Sequence, residues 1–63
     1  MSAAELELAS TIVYSDREAA TRSEKLTSDQ LSQRVRDVKP HFPEPRILAL
    51  TEDLKKRGVL RSV

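Results

Sequence analysis

The chain has 63 residues, no cysteine, a single histidine, a single glycine and a net charge of +1. This length allows one small domain. The composition excludes disulfides and thiolate metal sites, and His41 cannot build a zinc site alone. One glycine also excludes a glycine-rich phosphate loop. We therefore expect no metal, no cofactor, no small-molecule substrate and no enzyme activity, because so short a chain rarely forms a pocket that excludes water.

The N-terminal segment carries two competing helical patterns. Ser2 and Glu5 have the spacing of a capping box, which predicts a helix start. The apolar residues form two neighbouring faces, one with Leu6, Ala9, Val13 and Ala20 and the other with Leu8, Ile12 and Ala19. The run 11–14 favours a β-strand, but we favour a helix over about residues 3–20. Residues 21–25 are polar and predict a loop.

The second helix has the clearest signals in the chain. Thr27 and Gln30 form a capping box, and Leu26 and Leu31 have the spacing of a hydrophobic staple. Leu31, Val35 and Val38 then follow on one apolar stripe. Pro40 disfavours helical geometry at the residue before it. The pattern predicts a helix over about residues 27–38.

A connector with three prolines, residues 39–45, leads to the third helix. We expect Phe42, the only Phe, to fill the gap between the helices rather than to serve as an exposed anchor. Pro45 suits the first helical position. Leu54 and Gly58 fit a Schellman ending with the glycine in a left-handed conformation. The predicted helix covers about residues 45–57 and is followed by a short extended segment, residues 59–63.

Together these elements predict a mainly α fold, a single three-helix domain over residues 1–63. Residues 1–25 are the part that we expect either to be flexible or to be ordered by a partner. The first residues lack the basic and apolar regions of a signal peptide, and no apolar run approaches the ~18 residues of a membrane span. We expect a cytoplasmic protein with no membrane partner, with the nucleus as an alternative location.

The charges are unevenly distributed. Residues 1–32 carry six acidic and three basic side chains, whereas residues 33–63 carry four acidic and eight basic ones. A basic half can attract an anion such as DNA, although basic side chains commonly just solvate helix surfaces. The run Leu54-Lys55-Lys56-Arg57-Gly58-Val59-Leu60, after two helical segments, resembles the end of the recognition helix in winged-helix DNA-binding domains. The resemblance covers residues 27–63.

The resemblance implies that the helix over residues 45–57 lies in the major groove of double-stranded DNA and that Arg46 contacts base edges. Phosphate contacts would come from the remaining basic residues of this half. These residues are Arg34, Arg36, Lys39, Lys55, Lys56, Arg57 and Arg61. The connector is longer than the turn of an ordinary helix-turn-helix, and the acidic residues of the same helix would repel phosphate.

The alternative, which we favour slightly, is a protein–protein interaction module that binds another chain or a second copy of itself. A helix over residues 3–20 has apolar groups on more than one face, and some of them must contact something outside a small core. The candidate interface residues are Leu6, Leu8, Ile12, Val13, Tyr14 and Phe42.

Overall fold

The computed structural model describes residues 2–63 and confirms the predicted mainly α, three-helix class. The helices are α1 (Ala3–Thr21), α2 (Ser28–Val38) and α3 (Glu44–Lys56). Residues 2–63 contain no strand, so the segment after α3 is irregular chain that packs against the helices. Its side chains at positions 60 and 62 are buried.

The predicted caps position the N-termini of α1 and α2. Ser2 Oγ accepts a hydrogen bond from Glu5 N at 3.2 Å. At α2 the capping box is complete, because Thr27 Oγ1 accepts from Gln30 N at 3.1 Å and Thr27 N donates to Gln30 Oε1 at 2.9 Å. These bonds satisfy backbone donors that have no partner inside the helix.

The helix α3 begins one residue earlier than the sequence predicted. Glu44 is its first residue, so Pro45 occupies the second position rather than the first. The proline is tolerated there because the first four N–H groups of a helix have no intrahelical acceptor. The Glu44 carboxylate also accepts hydrogen bonds from Gln33 and Arg36 of α2, at 3.0 and 2.9 Å.

Two helices end in the same motif with different residues. After α3, Gly58 has a φ of +71°, Val59 N donates to Leu54 O, and Gly58 N donates to Lys55 O. This is the predicted Schellman ending. After α1, Ser23 takes the equivalent position with a φ of +59°. A serine in this region carries the steric cost that glycine avoids.

The core lies where the three helices and the C-terminal segment meet. Its buried apolar residues are Leu8, Ile12, Leu31, Val35, Phe42, Ile47, Leu54 and Leu60. Of the two apolar faces on α1, the one with Leu8, Ile12 and Ala19 is buried, while Leu6 remains exposed. Phe42 lies inside the core, as predicted for a residue that fills the gap between helices.

A buried polar contact lies between α2 and α3. Ser32 Oγ donates to Thr51 Oγ1 at 3.4 Å, and Thr51 Oγ1 donates to Ile47 O at 2.8 Å. Both side chains are almost completely inaccessible to water. The pair satisfies two hydroxyls that would be costly to bury alone.

Candidate functional site

Of the six candidate interface residues, three are buried in the core, one is partly buried and two are exposed. Leu8, Ile12 and Phe42 are core residues, so their side chains are not available to a partner while the domain is folded. Val13 is partly buried and packs against the core. Only Leu6 and Tyr14 are well exposed, at 60% and 65%. The Glu18 carboxylate, one turn further along α1, raises the pKa of the Tyr14 phenol by accepting a hydrogen bond from it.

A shallow, open groove lies between α1 and α3. Its volume is about 290 Å³, and it is lined by Glu5, Arg46, Ala49, Leu50 and Asp53. An ion pair between Arg46 and Glu5, 3.2 Å apart, crosses it. The base-edge candidate Arg46 is therefore engaged with α1.

Most of the basic residues implied by the winged-helix resemblance contact carboxylates. The pairs are Arg34–Glu24, Arg36–Glu44, Lys39–Glu7, Arg46–Glu5 and Arg57–Asp53. Arg34 binds both oxygens of Glu24, at 3.1 and 2.6 Å, and this lowers the pKa of the Glu24 carboxyl. Within residues 2–63, Lys55, Lys56 and Arg61 have no acidic side chain within 4.0 Å. The basic half thus presents much less unpaired charge than its composition indicates.

A buried carboxylate on α1 binds the C-terminal segment, and sequence reasoning missed it. Asp16 has no exposed surface. Arg61 N donates to its two oxygens at 3.0 and 2.9 Å, and Ser62 donates to Oδ1 through N at 2.7 Å and Oγ at 2.6 Å. Leu26 N donates to Ser62 O at 2.6 Å. We call the Asp16 carboxylate and the Leu26 N–H the tail slot, and residues 59–63 the tail.

The electrostatics of the tail slot favour the ionised carboxylate. Burial by itself would raise the pKa of Asp16, but the hydrogen bonds from Ser62 and Arg61 outweigh it and hold the pKa below its ordinary value. Arg17, 3.9 Å away, acts in the same direction. A buried charge is tolerated when several donors surround it, and here the tail supplies three of them.

Two sequence signals could have indicated this contact. Asp16 follows Leu8 and Ile12 at intervals of four, so it lies on the buried stripe of α1, where an unpaired carboxylate is costly. Leu60 and Ser62 alternate with Arg61, and both are buried whereas Arg61 is exposed. Neither pattern shows that Asp16 contacts the C-terminal segment, because the two are separated by most of the chain.

The described residues contain no cluster of three or more His, Cys, Asp or Glu side chains able to hold a metal ion. None of the helices in this part of the chain is long and apolar enough to cross a membrane. No protein-family model matches the chain, and neither the curated proteins nor the solved structures include one that is significantly similar to it.

Proposed function

We propose that the chain is a non-enzymatic protein–protein interaction module that docks through the outer face of α1. The observation that carries the proposal is the exposure of Leu6 and Tyr14, both turned away from the core face of the same helix. They are eight residues apart, or roughly 12 Å along the helix axis. This separation suits a partner that lies along two turns of α1.

The chemistry of this face fits an interface. Burying a leucine side chain is worth about 1.5–3 kcal/mol, and tyrosine is enriched at the centre of interfaces because it offers an apolar ring and a polar tip. Ser10, between the two at intervals of four, is exposed and small. A partner helix could therefore approach closely between the two larger side chains. The partner is another chain or a second copy.

Site-specific crosslinking combined with sedimentation tests this proposal. A photoreactive amino acid replaces Tyr14 in one variant and exposed Lys56, on α3, in the matched control. Irradiation in the source cells should give a discrete adduct from position 14 and none from position 56. If the partner is a second copy, the purified chain should also sediment as a concentration-dependent dimer that Leu6→Glu abolishes.

Two results would contradict docking through α1. No adduct at position 14, together with a monomer at every concentration, would contradict the proposal. An adduct from positions 14 and 56 alike would indicate non-specific contact and would count against docking through α1.

The second candidate is a small DNA-binding domain of the winged-helix type. Its support is three basic residues that have no acidic side chain within 4.0 Å in residues 2–63, namely Lys55 and Lys56 on α3 and Arg61 in the tail. The ion pairs of the other basic residues weigh against it. Titration of labelled duplex at several salt concentrations tests it, because each phosphate contact steepens the salt dependence by about one unit of slope. We expect Lys55→Glu/Lys56→Glu to flatten that slope, and an absence of binding at low salt would exclude this candidate.

A further inference from the structure

We propose that the tail slot is a recognition site for an extended peptide segment with the pattern apolar–any residue–serine, and that the tail is its resident ligand. A partner segment with this chemistry would displace the tail. The inference goes beyond the interaction face of α1, because it uses neither Leu6 nor Tyr14. It rests on the hydrogen bonds to Asp16 and on the burial of Leu60.

The contacts in the slot define what a ligand must offer. Asp16 accepts from two consecutive backbone N–H groups and one hydroxyl, and Leu26 N–H binds the carbonyl of the serine residue. Leu60, two residues before the serine, is 9% exposed and completes the core. Arg61 is exposed, so the middle position is not selected. A segment of this pattern satisfies every donor and acceptor of the slot.

None of these contacts requires the ligand to belong to the same chain. The tail bonds to Asp16 across 45 and 46 residues of sequence. The tail leaves α3 at Gly58, where even an added Cβ would meet no atom within 4 Å. The slot recognises the tail through backbone groups and two side chains, as peptide-binding sites commonly do.

Because the tail is tethered to the domain, it occupies the tail slot in preference to a free segment. A short linker gives the tail an effective concentration of about millimolar at the slot. A free segment of equal affinity therefore binds the natural chain weakly, and binds more tightly when the tail is weakened. A substitution that weakens the tail should then strengthen the binding of a free peptide, whereas a substitution in the slot should weaken it. A tail that cannot be displaced predicts no peptide binding in either case.

The experiment uses the full chain and a fluorescent peptide with the sequence of residues 58–63, blocked at both ends. Ser62→Ala removes a hydrogen bond between a hydroxyl and a carboxylate, which is worth about tenfold in binding. We expect Ser62→Ala to bind the peptide about tenfold more tightly than the natural chain. Adding Asp16→Asn to Ser62→Ala should abolish that gain. The exposed carboxylate Asp37 provides the matched control, because Asp37→Asn should leave the gain intact.

A second measurement guards against loss of folding in the Asp16→Asn chain, which circular dichroism would reveal. A peptide with alanine in place of its serine is titrated into the Ser62→Ala chain, and we expect it to bind about tenfold more weakly than the serine peptide. Equal binding of the two peptides, or no binding to the Ser62→Ala chain, overturns the proposal. Neither result affects the proposed α1 interface, whose residues lie outside the slot.

Discussion

The α2–α3 pair and the contact between α1 and the tail stabilise the same core by different means. The pair is joined by a short connector, packs mainly through apolar side chains and buries one neutral hydroxyl contact. The α1–tail contact joins residues 46 positions apart around a buried charge. The first is held by apolar contacts and one neutral hydrogen bond, whereas the second adds to the apolar packing of Leu60 a buried carboxylate with three donors from the tail.

The largest expected effect therefore comes from Asp16→Ala. The substitution leaves two backbone N–H groups and the Ser62 hydroxyl without their acceptor in a buried site. We expect the free energy of unfolding to fall by about 3 kcal/mol, as when one partner of a buried charged network is removed. Urea denaturation measures this change. Asp37→Ala on exposed α2 surface is the control, and a loss no larger than that of the control would contradict the assigned role of Asp16.

The same contact predicts a pH dependence of stability. Because the pKa of Asp16 in the folded chain lies below its ordinary value of 3.8, the folded state binds fewer protons than the unfolded state near that pH. The stabilisation is fully present above about pH 4 and is lost as the pH falls through the folded pKa. Urea midpoints measured between pH 7 and pH 2 should fall more steeply for the natural chain than for Asp16→Asn. Parallel curves would show that other carboxyls dominate.

A smaller effect is expected at the hydroxyl pair between α2 and α3. Thr51→Val leaves Ser32 Oγ buried with no partner, and we expect a loss of about 1 kcal/mol in the free energy of unfolding. Adding Ser32→Ala removes the unsatisfied group, so the double variant should recover most of that loss. The test is a double-mutant cycle in urea. Additive losses would show that the two hydroxyls act independently.

Effects of about the same size or smaller are expected at the two Schellman endings, and they have opposite signs. Ser23→Gly relieves a left-handed backbone and should raise the free energy of unfolding by about 0.5 kcal/mol. Gly58→Ala introduces the same cost and should lower it by roughly 1 kcal/mol, with no steric term because the added Cβ has open space. Thermal and urea unfolding measure both. A stabilising Gly58→Ala would contradict the assigned left-handed conformation.

The sequence predicted the elements whose signals are local. The cap at Thr27, the break at Pro40 and the glycine after α3 each act within a few residues, so the helix bounds came within about one residue of those observed. The burial of Phe42 followed from its being the only large aromatic group in the connector. These features are fixed by short-range sterics and hydrogen bonding.

The α1 surface and the tail could not be predicted in the same way. Two apolar faces compete on α1, and the choice between them depends on where α2, α3 and Leu60 pack. The excess of basic residues in the second half likewise did not predict how much unpaired positive charge the surface presents, because Arg46 and Lys39 form ion pairs with carboxylates on α1. Long-range pairs of this kind leave no periodic trace in the sequence.

The separation between Asp16 and the tail also bears on the order of events during folding. Closing a loop of about 45 residues costs more chain entropy than closing the short connector between α2 and α3. We therefore expect the α2–α3 pair to form first and the tail to dock in a late step. Weakening the tail should then accelerate unfolding while leaving the folding rate nearly unchanged. In kinetic terms, the tail slows the unfolding of a domain that has already assembled.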